Sequence, residues 1–429
     1  MRPLRIILFS FMAALLFTTT SCHKKELFDE EQYNDYVDDM FQVDGIDKNH
    51  DWCLTKDDTI TIKVADLQIF SVQVLTGDPR TASKAEIMAE GVCYGNQAIL
   101  AYTASIVATT ISIAALDSDG NYLGITSVPY GTKEIELSLS NMKPMGSAFT
   151  KPTYQTFTYL YVCTFPLPSE AFDYNDMVLR ISKNNTELEN SLCVDLNVVL
   201  KAAGTKEQPY AGAIQLADIK YSDIDKVEIV EGKPMDDGYP LMRQFITSDA
   251  PLICGRNGEA VINLFESVHW SFGKQRDELG NVVCLIYNTT PSVQNNYSAK
   301  AEPIKRTYRI YFKDRNKARL LTLNRIDPFL IHEYNGGKWE IHTYPHKFDE
   351  VLYSIFTNKA AYDNHISWSI VIPKADFKYP IEGISLCSFD EVLEETFGPY
   401  EGFVGWMKDH TTHHNWYLNL KRPDLVYQE

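Results

Sequence analysis

Leu192-Cys193-Val194-Asp195-Leu196-Asn197-Val198-Val199-Leu200 decides the fold class. Leu192, Val194, Leu196, Val198 and Leu200 share one face, while Asp195, Asn197 and then Lys201 take the other. A period of two with one apolar face is a strand with one side buried. The same alternation runs through Thr59-Ile60-Thr61-Ile62-Lys63-Val64 and Glu134-Ile135-Glu136-Leu137-Ser138-Leu139. Between strand-like runs at 112–116 and 122–125 lies Asp117-Ser118-Asp119-Gly120-Asn121, a hairpin turn in which Gly120 supplies positive φ. Its aspartates read as turn formers rather than cation ligands. Helical stretches are few, at 83–89, near 348–358 and at 390–395. The expectation is an all-β protein of tandem β-sandwiches, Ig-like or jelly-roll-like, with few short helices.

A chain of 429 residues with 45% apolar and 12% aromatic content can build more than one core. Its first residues read as an address. Arg2 and Arg5 precede an apolar run from Ile6 to Phe17, too short to stay in a bilayer as a spanning helix, that ends in Thr18-Thr19-Thr20-Ser21-Cys22. A small residue before a cysteine at that distance is what lipoprotein signal peptidase accepts. Residues 1–21 are therefore expected to be a leader and Cys22 the lipidated first residue of the mature chain. Two or three acyl chains hold firmly, since each buried methylene contributes about 0.8 kcal/mol. Without Arg2 and Arg5 the 40 basic residues become 38 against 57 acids, a mature charge of −19. Such a polyanion excludes nucleic acid as a partner, because phosphate binding is driven by basic residues. Residues 22–55, rich in acids such as Asp29, Glu30, Glu31, Asp35, Asp38 and Asp39, read as an acidic tether. A sandwich is expected over 56–142 and a second β-rich region over 145–429, with room for two subdomains split near 235–255.

The most distinctive motif is Glu170-Ala171-Phe172-Asp173-Tyr174-Asn175-Asp176-Met177-Val178-Leu179. Oxygens at Asp173, Asn175 and Asp176, with Glu170, form half of a calcium shell, or a turn whose side chains bond backbone amides. The string resembles the hallmark of LruC-type domains of bacterial, often lipid-anchored, envelope proteins of the Bacteroidota type. The resemblance continues through Leu323-Asn324-Arg325-Ile326-Asp327-Pro328-Phe329-Leu330-Ile331, Glu340-Ile341-His342 with Tyr344-Pro345, and Phe377-Lys378-Tyr379-Pro380 with Glu382. It closes on Tyr400, Phe403, Trp406 and Trp416-Tyr417, and upstream Asp47-Lys48-Asn49-His50-Asp51-Trp52 resembles an element that precedes the first sandwich in relatives. Relatives carry a Glu-Asp pair ahead of the Asp-Tyr-Asn-Asp string, where this chain has residues 164–170. The resemblance implies a lipid-anchored place in the cell envelope, expected at the outer membrane, and no catalytic activity is established for that family as a class.

Other constellations are weaker. Asp47, Asn49 and Asp51 open like an EF-hand loop, but Trp52 stands where glycine is needed and Asp58 where glutamate is, so a capped lead-in to the first sandwich is expected. His342 and His346 have a zinc-pair spacing, but the run from Trp339 reads as strand, and Asp409-His410-Thr411-Thr412-His413-His414 reads as loop. Trp270, Trp339, Trp368, Trp406 and Trp416, with Tyr400 and Tyr417, either fill cores or form a glycan platform. The seven cysteines after Cys22 are scattered singly and read as buried thiols. No Gly-x-Ser-x-Gly, His-Glu-x-x-His or phosphate loop occurs. The expected function is a non-catalytic binding, adhesion or structural role in the cell envelope, its partners the membrane through Cys22 and a glycan or envelope protein. Alternatives are a carbohydrate-binding accessory of polysaccharide uptake and a glycan-active hydrolase.

Overall fold

The computed structural model describes residues 46–429 except 48, 83, 147, 163–172, 189–190, 205–209, 233–250, 256, 274, 277–279, 281, 284, 292–297, 335–336, 344–366, 387–388, 391–394 and 397. The leader, Cys22, Glu170, His346 and the stretch near 348–358 lie outside the described residues.

Two layered β units follow one another. In the first, a three-stranded sheet sets Thr55–Val64 between Gln97–Ser105 and Glu134–Leu137. A six-stranded sheet faces it, ordered Lys143–Pro144, Tyr122–Pro129, Thr110–Leu116, Ser71–Leu75, Glu86–Val92 and Thr153–Tyr154. Alternation explains the fit: Ile60, Ile62 and Val64 point into a core with Val72, Val74, Leu100, Tyr102, Ile111 and Ile113. The Asp117–Asn121 hairpin forms as read, with Gly120 at φ +79° and the Asp117 carboxylate accepting from the Asp119 and Asn121 amides.

The chain passes into the second unit between Tyr154 and Thr156. There a six-stranded sheet runs Ile224–Glu231, Ile304–Phe312, Ser191–Ala202, Met177–Leu188, Thr156–Tyr161 and Ser369–Ile372. A five-stranded sheet packs on it, ordered Leu252–Cys254, Glu259–Phe265, Ala211–Lys220, Ile326–Tyr334 and Gly337–Ile341. Strands from both sides of 235–255 pair within these same two sheets, so the region forms one interleaved unit and not two subdomains. The five apolar residues of Leu192–Leu200 lie in its core, each at most 2% exposed. The opposite face is less open than the alternation implies: Asp195 is buried beneath a two-pronged bond from Arg309, 2.7 and 2.8 Å, and Asn197 accepts from Thr307.

Two helical expectations fail. Within 83–89 the chain forms the strand Glu86–Val92, paired with Ser71–Leu75, because Met88 and Ala89 are drawn into the sandwich core. Burial of that face outweighs the helix preference of Glu, Met and Ala. Within 390–395, Phe389–Asp390 pairs with Glu395–Thr396 as a short ladder. Helices among the described residues are three short ones, Val268–Phe272, Arg315–Leu320 and Phe403–Lys408. Cys53, Cys93, Cys193 and Cys254 are free thiols; Cys193 is buried, but Cys254 is exposed, against the expectation of burial.

The units are joined by side chains. Asp57 accepts from Thr103 of its own sheet and from Thr322 of the second unit, while Thr55 bonds Asn324 and Asn185 reaches the Glu90 carbonyl.

Candidate functional site

The motif residues gather into three clusters. The first surrounds Asp173–Asp176, a turn held ahead of Met177–Leu188 with Tyr174 at φ +52°. Asp173, Asn175 and Asp176 are each at most 2% exposed. They dock on the Tyr379-Pro380 segment: Gly383 donates its amide to Asp173 at 2.9 Å, and the Asn175 amide donates to the Pro380 carbonyl at 3.2 Å. On the other side Gly204 donates to the carbonyls of Asn175 and Asp176, and the Tyr210 hydroxyl bonds the carbonyls of Asp176 and Gly204. A Cβ on Gly204 would overlap the Asn175 Oδ1, so only glycine lets the backbones approach. That Oδ1 is buried without a hydrogen-bond partner.

The second cluster is buried inside the second unit. Asp327, on the strand Ile326–Tyr334, is 0% exposed and faces His342, just past Gly337–Ile341. The His342 Nδ1 lies 2.5 Å from Asp327 Oδ2 and its Nε2 3.3 Å from Glu340, while Asp327 Oδ1 accepts from the Thr343 amide and hydroxyl. Phe329 stacks on the ring with centroids 4.5 Å apart. Burial opposes the charged ring, but the two carboxylates outweigh it and raise His342 to about 10. His342 is therefore an imidazolium at neutral pH, both nitrogens engaged by acids. The pairing was not visible in sequence, where the one spacing noted for His342 was to His346 and was set aside because the run reads as strand.

The third cluster joins the lead-in at 46–52 to the helix Phe403–Lys408 and the loop after it. The His50 Nδ1 accepts from the Trp52 amide at 2.9 Å, which leaves the proton on Nε2, and Nε2 donates to the Trp406 carbonyl at 2.9 Å. Burial pushes His50 down to about 4, so the ring is neutral. Asp47 donates its amide to the Met407 carbonyl and sets its carboxylate on the His410 ring. Asp47 and Asp51 also cap the amides of Asn49 and Cys53, the turn use expected of the EF-like start.

The aromatic residues settle the platform question for the rings described. Trp406 and Trp416 are 0% exposed, Trp270 8%, Trp368 6%, Tyr400 1% and Tyr417 4%. Phe377 stacks on Tyr400 and Phe403 meets Trp416 edge-on, each with centroids 4.7 Å apart, and rings this deeply buried offer no surface on which a sugar could stack. A groove of about 450 Å³ opens beside the bulge where Asp218 has φ +62°, but its lysines are paired, Lys220 with Glu259 and Lys317 with Asp223.

No family model matches the chain, and no curated protein matches it. Among solved structures, the crystal structure of a candidate lipoprotein from Bacteroides ovatus aligns over 84% of this chain and 99% of its own, at 12% identity and a TM-score of 0.47.

Proposed function

We propose that this chain is a lipid-anchored cell-envelope protein of the LruC type, held at the outer membrane through Cys22, with a non-catalytic binding or structural role. The leader over 1–21, followed directly by Cys22, carries the address. What supports the non-catalytic reading is the Asp327–His342–Glu340 cluster, which has the residue types of a catalytic dyad but not its geometry. A general base needs a free nitrogen near neutral pKa, whereas this ring is charged, 4% exposed and held at both nitrogens. The Ser369 hydroxyl donates to the His342 carbonyl and not to its ring.

Two measurements test the address. Cells labelled with tritiated palmitate should yield a labelled protein, and Cys22→Ala should carry no label; label in the variant would place the anchor elsewhere. Protease shaving of intact cells then distinguishes surface exposure, which favours adhesion or glycan capture, from a periplasmic body with a structural role.

Calcium is the ion this reading admits, at Asp173, Asn175 and Asp176 with Glu170. The observation favouring it is the buried Asn175 Oδ1, an oxygen with no hydrogen-bond partner in the turn that also buries Asp173 and Asp176. Millimolar calcium is expected to raise the melting temperature by about 2–4 °C, and Asp173→Asn, which keeps an acceptor for Gly383, should abolish the rise. A melt unchanged by calcium would leave the turn as a purely structural knot.

A further inference from the structure

The lead-in at 46–52 and the loop after Phe403–Lys408 each carry an incomplete ligand pattern, and the fold superposes them. The Asp47 amide is bonded to Met407, and His50 is bonded to Trp406 and packed against Trp52 and Trp406, with ring centroids 4.3 and 4.4 Å away. This buried staple delivers Asp47 to Asp409 and His410, so that one ligand atom from each of the three residues lies within 4.8 Å of the others. We propose that Asp47, Asp409 and His410 form a binding site for a divalent transition-metal ion of zinc's class, fastening the lead-in at 46–52 to the loop after Phe403–Lys408.

The donor chemistry fits that class. One imidazole and two carboxylates suit zinc or manganese, whereas calcium prefers six to eight oxygens. A dication balances both carboxylates at once; in its absence His410 serves Asp47, and Asp409 is met by the Thr411 amide and hydroxyl. Asp409 is exposed and Asp47 and His410 half-exposed, leaving room for water to complete the coordination. Phe403–Lys408 ends at the site, and the partial negative charge of a helix C-terminus favours a cation there. His50 stays outside the shell, because both of its nitrogens are bonded. The staple it forms is what holds the donors in place before the ion arrives.

The test uses the full-length chain in detergent, stripped with a chelator and melted with and without zinc chloride. Zinc at about a hundredfold over its Kd is expected to raise the melting temperature by about 2–4 °C. Asp409→Asn keeps the oxygen that Thr411 bonds, so its zinc-free melt should match wild type while its zinc affinity falls at least about tenfold. His410→Ala should abolish the shift, and the double variant His413→Ala with His414→Ala should retain it. Absence of a shift in wild type, or an equal affinity in Asp409→Asn, would overturn the proposal. Calcium is the control: a response to calcium that survives in Asp409→Asn belongs to the Asp173–Asp176 turn and leaves the zinc result independent.

Discussion

Replacing Asp327 by alanine lowers the stability of the second unit by about 3–5 kcal/mol, because removing one member of a buried ion pair strands the other. The carboxylate is 0% exposed and makes three close contacts, to the His342 ring and to the amide and hydroxyl of Thr343. With it gone, Glu340 at 3.3 Å is the remaining acid beside the ring, and the Thr343 groups lose their acceptor. Guanidinium denaturation followed by tryptophan fluorescence measures this selectively: the six tryptophans are residues 52, 270, 339, 368, 406 and 416, and none lies in the sheets of the first unit. A cost below about 1 kcal/mol would show that the pair is not a stabilising contact.

The same pair gives a pH dependence of known sign. His342 binds its proton more tightly in the folded state, about 10 against an ordinary 6.5, so its contribution is complete below pH 6.5 and is lost as pH rises toward 10. The slope is at most about 1.4 kcal/mol per pH unit. Lys183 acts in the opposite sense: burial lowers it to about 8, so the unfolded chain holds that proton more tightly between pH 8 and 10.5, and stability gains there. The loss from His342 should therefore stand out between pH 6.5 and 8 and flatten above. His410, raised by Asp47, titrates in the same sense as His342, so the difference between wild type and Asp327→Ala isolates the His342 contribution. Parallel curves for the two proteins would refute the assignment.

Trp416→Ala is expected to cost about 3–5 kcal/mol, the usual loss when a fully buried aromatic leaves a cavity. Trp416 is 0% exposed, with ring centroids of Phe403, Tyr400, Trp406 and Phe377 at 4.7, 5.7, 5.8 and 6.0 Å. Trp406 continues the chain of rings to Trp52 at 5.5 Å, so the cavity opens beside the staple that holds the lead-in. Trp416→Phe fills part of the space and should cost about 1–2 kcal/mol. An alanine variant as stable as wild type would mean that these rings do not form part of the core.

Local chemistry was legible in the sequence wherever neighbours along the chain decide it. The period of two at Leu192–Leu200 and at Thr59–Val64 identified strands and their buried faces, and the turn at Asp117–Asn121 announced its hairpin, because alternation and positive φ are properties of a few consecutive residues. Where tertiary packing overrode propensity, as at Glu86–Val92, the sequence misled. The clusters lay beyond its reach for a related reason. Asp327 meets His342 through the pairing of adjacent strands, Asp173 meets Gly383 across 210 residues, and Asp47 meets His410 across 363. Spacing along the chain carries no signal for such encounters. The aromatic residues show the same division: a tryptophan that fills a core and one that stacks on a ligand share the same apolar ring. Only the placement of Trp406 and Trp416 between the lead-in and the C-terminal segments put them inside, where excluding water from that ring surface favours the fold.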